Sequence, residues 1–147
     1  MFAADGIPRI SDFDLTGGLF LGDIPLNGGD PAGLGYVAPE RLRDPDAEAR
    51  PHADIYGLGL IFYELLTGMP AFAEASTRTV IEQVSSQDPI PPSRINSEVT
   101  PQLEACCLRS LRKNPWRRYR RAFDLLMRLR WLQDHLQDRH RTEARRP

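Results

Sequence analysis

The sequence predicts a mainly α chain in which a short β-hairpin and a long irregular loop precede about four to five helices. Two observations carry this. After residue 50, apolar residues recur at helical spacing in several stretches, each bounded by capping residues, glycine or proline. Before residue 38, Gly17, Gly18, Gly22, Gly28, Gly29, Gly33 and Gly35 mix with Pro25 and Pro31, a composition that sustains neither helix nor sheet.

Taken in order, Phe2 to Asp14 reads as the hairpin, because Asp5-Gly6 is a strong turn signal and Pro8-Arg9-Ile10-Ser11 leads into a short strand. Residues 15–37 form the long loop. Pro39 to Leu42 suits a single helical turn, and Asp44 to His52 reads as a polar, proline-bounded loop. From Ala53 to Thr67, Ile55, Tyr56, Leu58, Leu60, Ile61, Phe62, Leu65 and Leu66 surround the helix, the pattern of a helix buried on all sides. Gly68 stops it and Pro70 prevents its resumption. A second helix is expected from Ser76 or Thr77 to about Ser86, with Val80, Ile81 and Val84 on one face. Pro89, Pro91 and Pro92 then impose an extended connector. Thr100-Pro101 is a cap with proline at the first helical position, opening a helix whose Leu103, Cys106, Cys107 and Leu111 share a face. In the last helix Ala122, Leu125, Leu126, Leu129, Leu132 and Leu136 lie at helical spacing with arginines opposite. Residues 139–147 read as a basic, disordered tail.

At 147 residues the chain is one domain's worth of material and buries roughly two-thirds of its unfolded surface. No apolar run approaches the roughly 18 residues of a membrane span. The start, Met1-Phe2-Ala3-Ala4-Asp5, lacks the basic region of a secretory signal, so a cytoplasmic location is expected. The adjacent Cys106 and Cys107 read as small buried residues of a reduced protein. The net charge of −1 conceals an asymmetry: residues 1–108 hold 6 Arg against 16 acids, residues 109–147 hold 13 basic residues against 4 acids. Nucleic-acid binding is weighed against a solvated helix face whose arginines pair with the acidic half, and the second is preferred.

Four strings in order carry a family resemblance: Ile10-Ser11-Asp12-Phe13; Tyr36-Val37-Ala38-Pro39-Glu40; Ala53-Asp54-Ile55-Tyr56-Gly57-Leu58-Gly59 with Tyr63-Glu64-Leu65-Leu66-Thr67-Gly68; and Asn114-Pro115-Trp116-Arg117-Arg118-Tyr119. From Phe2 to about Leu136 the chain resembles the C-terminal lobe of a eukaryotic-type Ser/Thr protein kinase. The run from Val84 to Asn96 is similar to the kinases of planctomycete-like bacteria. The resemblance implies a partial kinase-like fold over residues 1–138, with residues 12–40 as the activation segment.

It also implies roles. Asp12 matches the aspartate that holds magnesium against ATP, a task for an oxygen ligand; taken alone, it is an aspartate ending a strand. Phe13 fits the apolar position beside it. Glu40 matches the glutamate that pairs with a buried arginine, and Arg118 is the matching partner. Asp54 matches an aspartate that accepts hydrogen bonds from the catalytic loop, although capping and the helix dipole explain a carboxylate there equally well. Gly33-Leu34-Gly35-Tyr36-Val37-Ala38 satisfies a dinucleotide-binding pattern, but Pro39 follows at once and no strand precedes it.

Phosphoryl transfer in this family needs a glycine-rich loop, a lysine paired with a helix glutamate, and a His-Arg-Asp loop with a downstream asparagine. The 147 residues show none in place: Lys113 is the sole lysine, and His140-Arg141 continues into Thr142. The chain by itself is therefore expected to be inactive, with no catalytic residue of its own. Asp14 stands where the family has glycine, which sets a second carboxylate beside Asp12. Magnesium and ATP are the cofactors the resemblance implies, and a protein substrate or a complementary kinase half the partners. A split active kinase and a pseudokinase-like interaction module, using helices 76–86 and 120–138, are the alternatives. With the covering helices of the family missing, part of the 53–67 helix is expected to be exposed.

Overall fold

The computed structural model describes residues 35–44, 51–72 and 76–143, and for residues 77 and 136–143 the backbone only. The expected hairpin, most of the glycine-rich loop, and Asp12, Phe13 and Asp14 lie outside the described residues. The rest is mainly α, with no strand among the described residues: α1 (Pro39–Arg43), α2 (Pro51–Thr67), α3 (Thr77–Ser86), α4 (Pro101–Ser110) and α5 (Ala122–Glu143). Two 3-10 turns, Pro92–Arg94 and Pro115–Arg117, complete it.

Local chemistry sets the boundaries. Gly68 takes a positive φ of 75°, and its N–H donates to Glu64 O at 2.7 Å, closing α2 in the left-handed conformation that glycine adopts without a Cβ penalty. Ser76 Oγ accepts from Thr79 N at 3.2 Å and Thr100 Oγ1 from Leu103 N at 3.3 Å, so each serine or threonine satisfies one orphan N–H at a helix start. At the start of α5, Asp124 Oδ2 accepts from Arg121 N at 3.1 Å, the reciprocal half of a capping box. The backbone of α5 continues to Glu143, past the boundary at 138 drawn from the sequence.

α2 is the central element, lying against α4, α5 and both 3-10 turns, while α1 packs on α3. One core gathers Tyr56, Leu60, Tyr63, Phe72, Val80, Val84, Cys107 and Leu111; a second gathers Ile55, Tyr119 and Leu125. Each fully buried aliphatic side chain contributes about 1.5–3 kcal/mol. α2 is not buried on all sides. Its buried positions, Ile55, Tyr56, Gly59, Leu60 and Tyr63, make one broad face, while Ile61 is 51% and Leu65 79% exposed. Leu126, which lies among the helically spaced apolar residues of α5, is 42% exposed. It lies about 100° around the helix from Leu125, which packs with Ile55 of α2 while Leu129 lies partly buried against them.

α2 and α4 meet at Gly59. An added Cβ there would lie 2.7 Å from Ser110 Cβ and 3.0 Å from Leu111 Cδ2, and Cys107 Sγ donates to Gly59 O at 3.7 Å. Gly59→Ala should therefore force the helices apart and cost about 1–3 kcal/mol, read as a lower urea midpoint. Gly57→Ala, which meets nothing within 4 Å, is the control and should gain about 0.5–1 kcal/mol from helix propensity. Equal losses at the two sites would contradict close packing at Gly59.

Candidate functional site

The residue that organises the described part of the chain is Arg118, whose side chain is fully buried. Asn114 Oδ1 accepts from Trp116 N at 3.0 Å and starts the Pro115–Arg117 turn, which delivers Arg118 beneath α2. There its two Nη atoms reach Glu40 Oε1 and Oε2, each at 2.7 Å. Nη1 also donates to His52 O at 2.7 Å, Nε to Arg112 O at 2.7 Å, and Nη2 to Lys113 O at 3.2 Å. All five guanidinium N–H groups are thus used, and the group lies 4.7 Å from the centre of the Tyr56 ring. The structure brings Glu40 and Arg118 together with bidentate geometry, which a lysine cannot reproduce.

Asp54 lies exposed in the first turn of α2 with no hydrogen-bond partner among the described residues. Asp12 and Phe13 fall outside them. Among the described residues no three His, Cys, Asp or Glu side chains gather as a metal site. Just ahead of α1, Tyr36 OH donates to Glu64 Oε2 at 2.5 Å, and that bond raises the phenol pKa. It ties the end of the expected activation segment to α2.

Lys113 is a structural residue that sequence reasoning missed. Its Nζ donates to Val84 O at 2.7 Å, Gln83 O at 3.3 Å and Tyr56 OH at 3.4 Å, and sits 4.3 Å from the centre of the Phe72 ring. The ammonium caps the carbonyl end of α3, where a cation suits the helix dipole. The sequence carried no signal for this beyond Lys113 being the sole lysine; its three carbonyl and hydroxyl contacts suit a compact three-donor ammonium. Burial lowers its pKa to about 8, with Asp88 opposing and Arg118 adding to the fall.

These contacts hold a helical scaffold together, and comparison with known proteins says which scaffold. The family described as "Protein kinase domain" matches residues 1–132, and the chain belongs to that family. It is 43% identical to the serine/threonine-protein kinase PknB of Mycolicibacterium smegmatis over 90 residues, 61% of this chain and 14% of that protein. PknB of Mycobacterium tuberculosis is 40% identical over 90 residues with the same coverages. The probable serine/threonine-protein kinase PknB of Corynebacterium glutamicum is 37% identical over 94 residues, again 61% of this chain and 14% of the relative. The chain therefore spans about one seventh of these relatives. The relation shown is to bacterial Ser/Thr kinases; the planctomycete-like likeness remains an expectation.

Arg118→Lys should lose the bidentate pair and strand carbonyls, and Arg118→Ala should leave Glu40 without its partner, costing about 3–5 kcal/mol. Denaturant unfolding checks both, and a loss within about 0.5 kcal/mol would contradict the geometry. For Lys113, the ordinary value is 10.5 and the folded value about 8. Between them the unfolded chain keeps a proton that the folded chain has released, so this residue makes stability rise with pH across that window. Above pH 9 the Cys107 thiol, pushed by burial from 9.0 up to about 12, acts in the opposite sense. The stability of the wild type minus that of Lys113→Met should therefore increase from pH 8 to pH 9; a flat difference would contradict the shift.

Proposed function

We propose that the chain forms the C-terminal lobe of a bacterial Ser/Thr protein kinase domain, the half that seats the activation segment and faces the protein substrate. The bidentate Glu40–Arg118 pair supports this most directly: it joins the segment that follows Asp12-Phe13 to the helical scaffold. In this reading Asp12 holds magnesium against the phosphates of ATP, Phe13 packs beside it, and Asp54 receives backbone N–H groups of the catalytic loop. ATP with magnesium supplies the transferable phosphoryl group. Orientation of the substrate hydroxyl calls for a His-Arg-Asp loop and asparagine; the 147 residues carry neither in place, and in the alternative reading a complementary half supplies them. Alone it is inactive, and it works in the cytoplasm on a protein substrate.

The exposed Ile61 and Leu65 on α2 favour such a half as a partner, because a helix presenting large aliphatic side chains loses free energy to water until they are covered.

The test is a fusion in which the N-terminal half of a bacterial Ser/Thr kinase, through its His-Arg-Asp loop, is joined ahead of residue 1. The fusion should transfer the γ-phosphate of ATP to serine or threonine of a protein substrate, while the 147-residue chain does not. Asp12→Asn in the fusion should cut turnover by at least about a hundredfold, on the scale of losing one charge-stabilising group. Transfer by the chain alone, or a folded fusion indifferent to Asp12, would overturn the reading.

A further inference from the structure

Of the arginines concentrated after residue 108, Arg118 pairs with the acidic half through Glu40, but several others do not. Among the described residues, Arg109, Arg112, Arg120 and Arg128 are exposed, and none has a carboxylate within ion-pair distance. They converge on two adjoining open depressions of about 720 and 590 Å³, which share Arg109, Trp116 and Arg118. Arg112 lines the first; Arg120, Arg128 and Trp131 line the second. Glu104 and Asp124 also border them, each accepting a backbone N–H, from Ser93 at 2.8 Å and Arg121 at 3.1 Å; these two carboxylates are outnumbered by the arginines around them.

Two of the guanidinium groups are held against rings. Arg109 Cζ lies 4.3 Å from the centre of the Tyr119 ring and Arg128 Cζ 4.6 Å from that of Trp131. A guanidinium resting on an aromatic face loses less rotamer freedom on binding and keeps its N–H edge available. Arg118 has every N–H committed, so it contributes positive charge and no donor.

We propose that this cleft binds a phosphorylated serine or threonine within an extended peptide segment. A phosphomonoester brings nearly two negative charges and three acceptor oxygens, which suit several guanidinium forks better than one carboxylate does. The depressions are open rather than enclosed, so they fit a chain passing over them. Trp116 and Met127, at 72% and 47% exposure, give apolar ground for side chains flanking the phosphate. Single-stranded nucleic acid fits less well. Trp131 already carries Arg128 and, at a ring separation of 3.9 Å, His135, so the cleft lacks the succession of free aromatic faces that bases stack on. The proposal rests on the cleft alone and is independent of the kinase reading.

Both tryptophans of the chain line the cleft, so intrinsic fluorescence of the full chain reports binding. The probes are a phosphoserine peptide with flanking leucines, its unphosphorylated twin, inorganic phosphate and a short oligothymidylate. The phosphopeptide should shift the emission and bind at least about tenfold more tightly than its twin, as charge-assisted bidentate contacts imply. Arg120→Gln, whose side chain has no hydrogen bond or ion pair among the described residues, and Arg128→Gln should each weaken it several-fold with the far-ultraviolet circular dichroism unchanged. Equal binding of the twin, tighter binding of the oligothymidylate, or inorganic phosphate binding as tightly as the peptide would overturn the proposal.

Discussion

A buried guanidinium cannot be left partly satisfied, and that constraint on Arg118 governs the described structure. Removing the charge from water costs several kcal/mol, recovered only when the geometry is good and every N–H finds an acceptor. Here the acceptors come from three separate places: the carboxylate of α1, the carbonyl of His52 at the start of α2, and the carbonyls of Arg112 and Lys113 after α4. Each must hold its position for the others to be useful. The pair therefore registers α1, the entry to α2 and the turn beyond α4 against one another, which the apolar cores do not do with comparable directionality.

The neighbouring Lys113 extends the same logic to α3. Its ammonium reaches the carbonyls of Gln83 and Val84, so two cations five residues apart bind the ends of four segments. Between them lies Tyr56, fully buried, touched by both charges. Gly59 adds the complementary steric condition, because only a missing side chain lets α2 come down onto Ser110 and Leu111. Directional charge on one side and close packing on the other place α2 in one orientation.

Much of this was legible, and what was not has physical reasons. Caps and prolines located α3 and α4 because Ser76, Thr100 and Pro101 satisfy or forgo particular N–H groups, a strictly local matter. Both ends of the Glu40–Arg118 pair stand out by family resemblance, but the three carbonyls that share Arg118 do not, since backbone acceptors leave no mark on residue identity. The apolar pattern of α2 is that of a helix buried on all sides, but composition does not record what covers a residue. The outward Ile61 and Leu65 agree with the expectation that part of this helix stands uncovered. Lys113 was passed over because its work depends on where α3 ends in space. Asp12, to which the resemblance assigns magnesium, lies beyond the described residues.

Membership of the protein kinase family is shown by the match over residues 1–132, and the proposed kinase role depends on the scaffold that Glu40 and Arg118 register. The most direct measurement is a double-mutant cycle on the full chain with Glu40→Gln, Arg118→Met and the two combined, followed by urea unfolding. A pair that organises the fold predicts a coupling of about 2 kcal/mol or more, at the strong end for contacting residues. A coupling below about 0.5 kcal/mol, the level of independent sites, would contradict it.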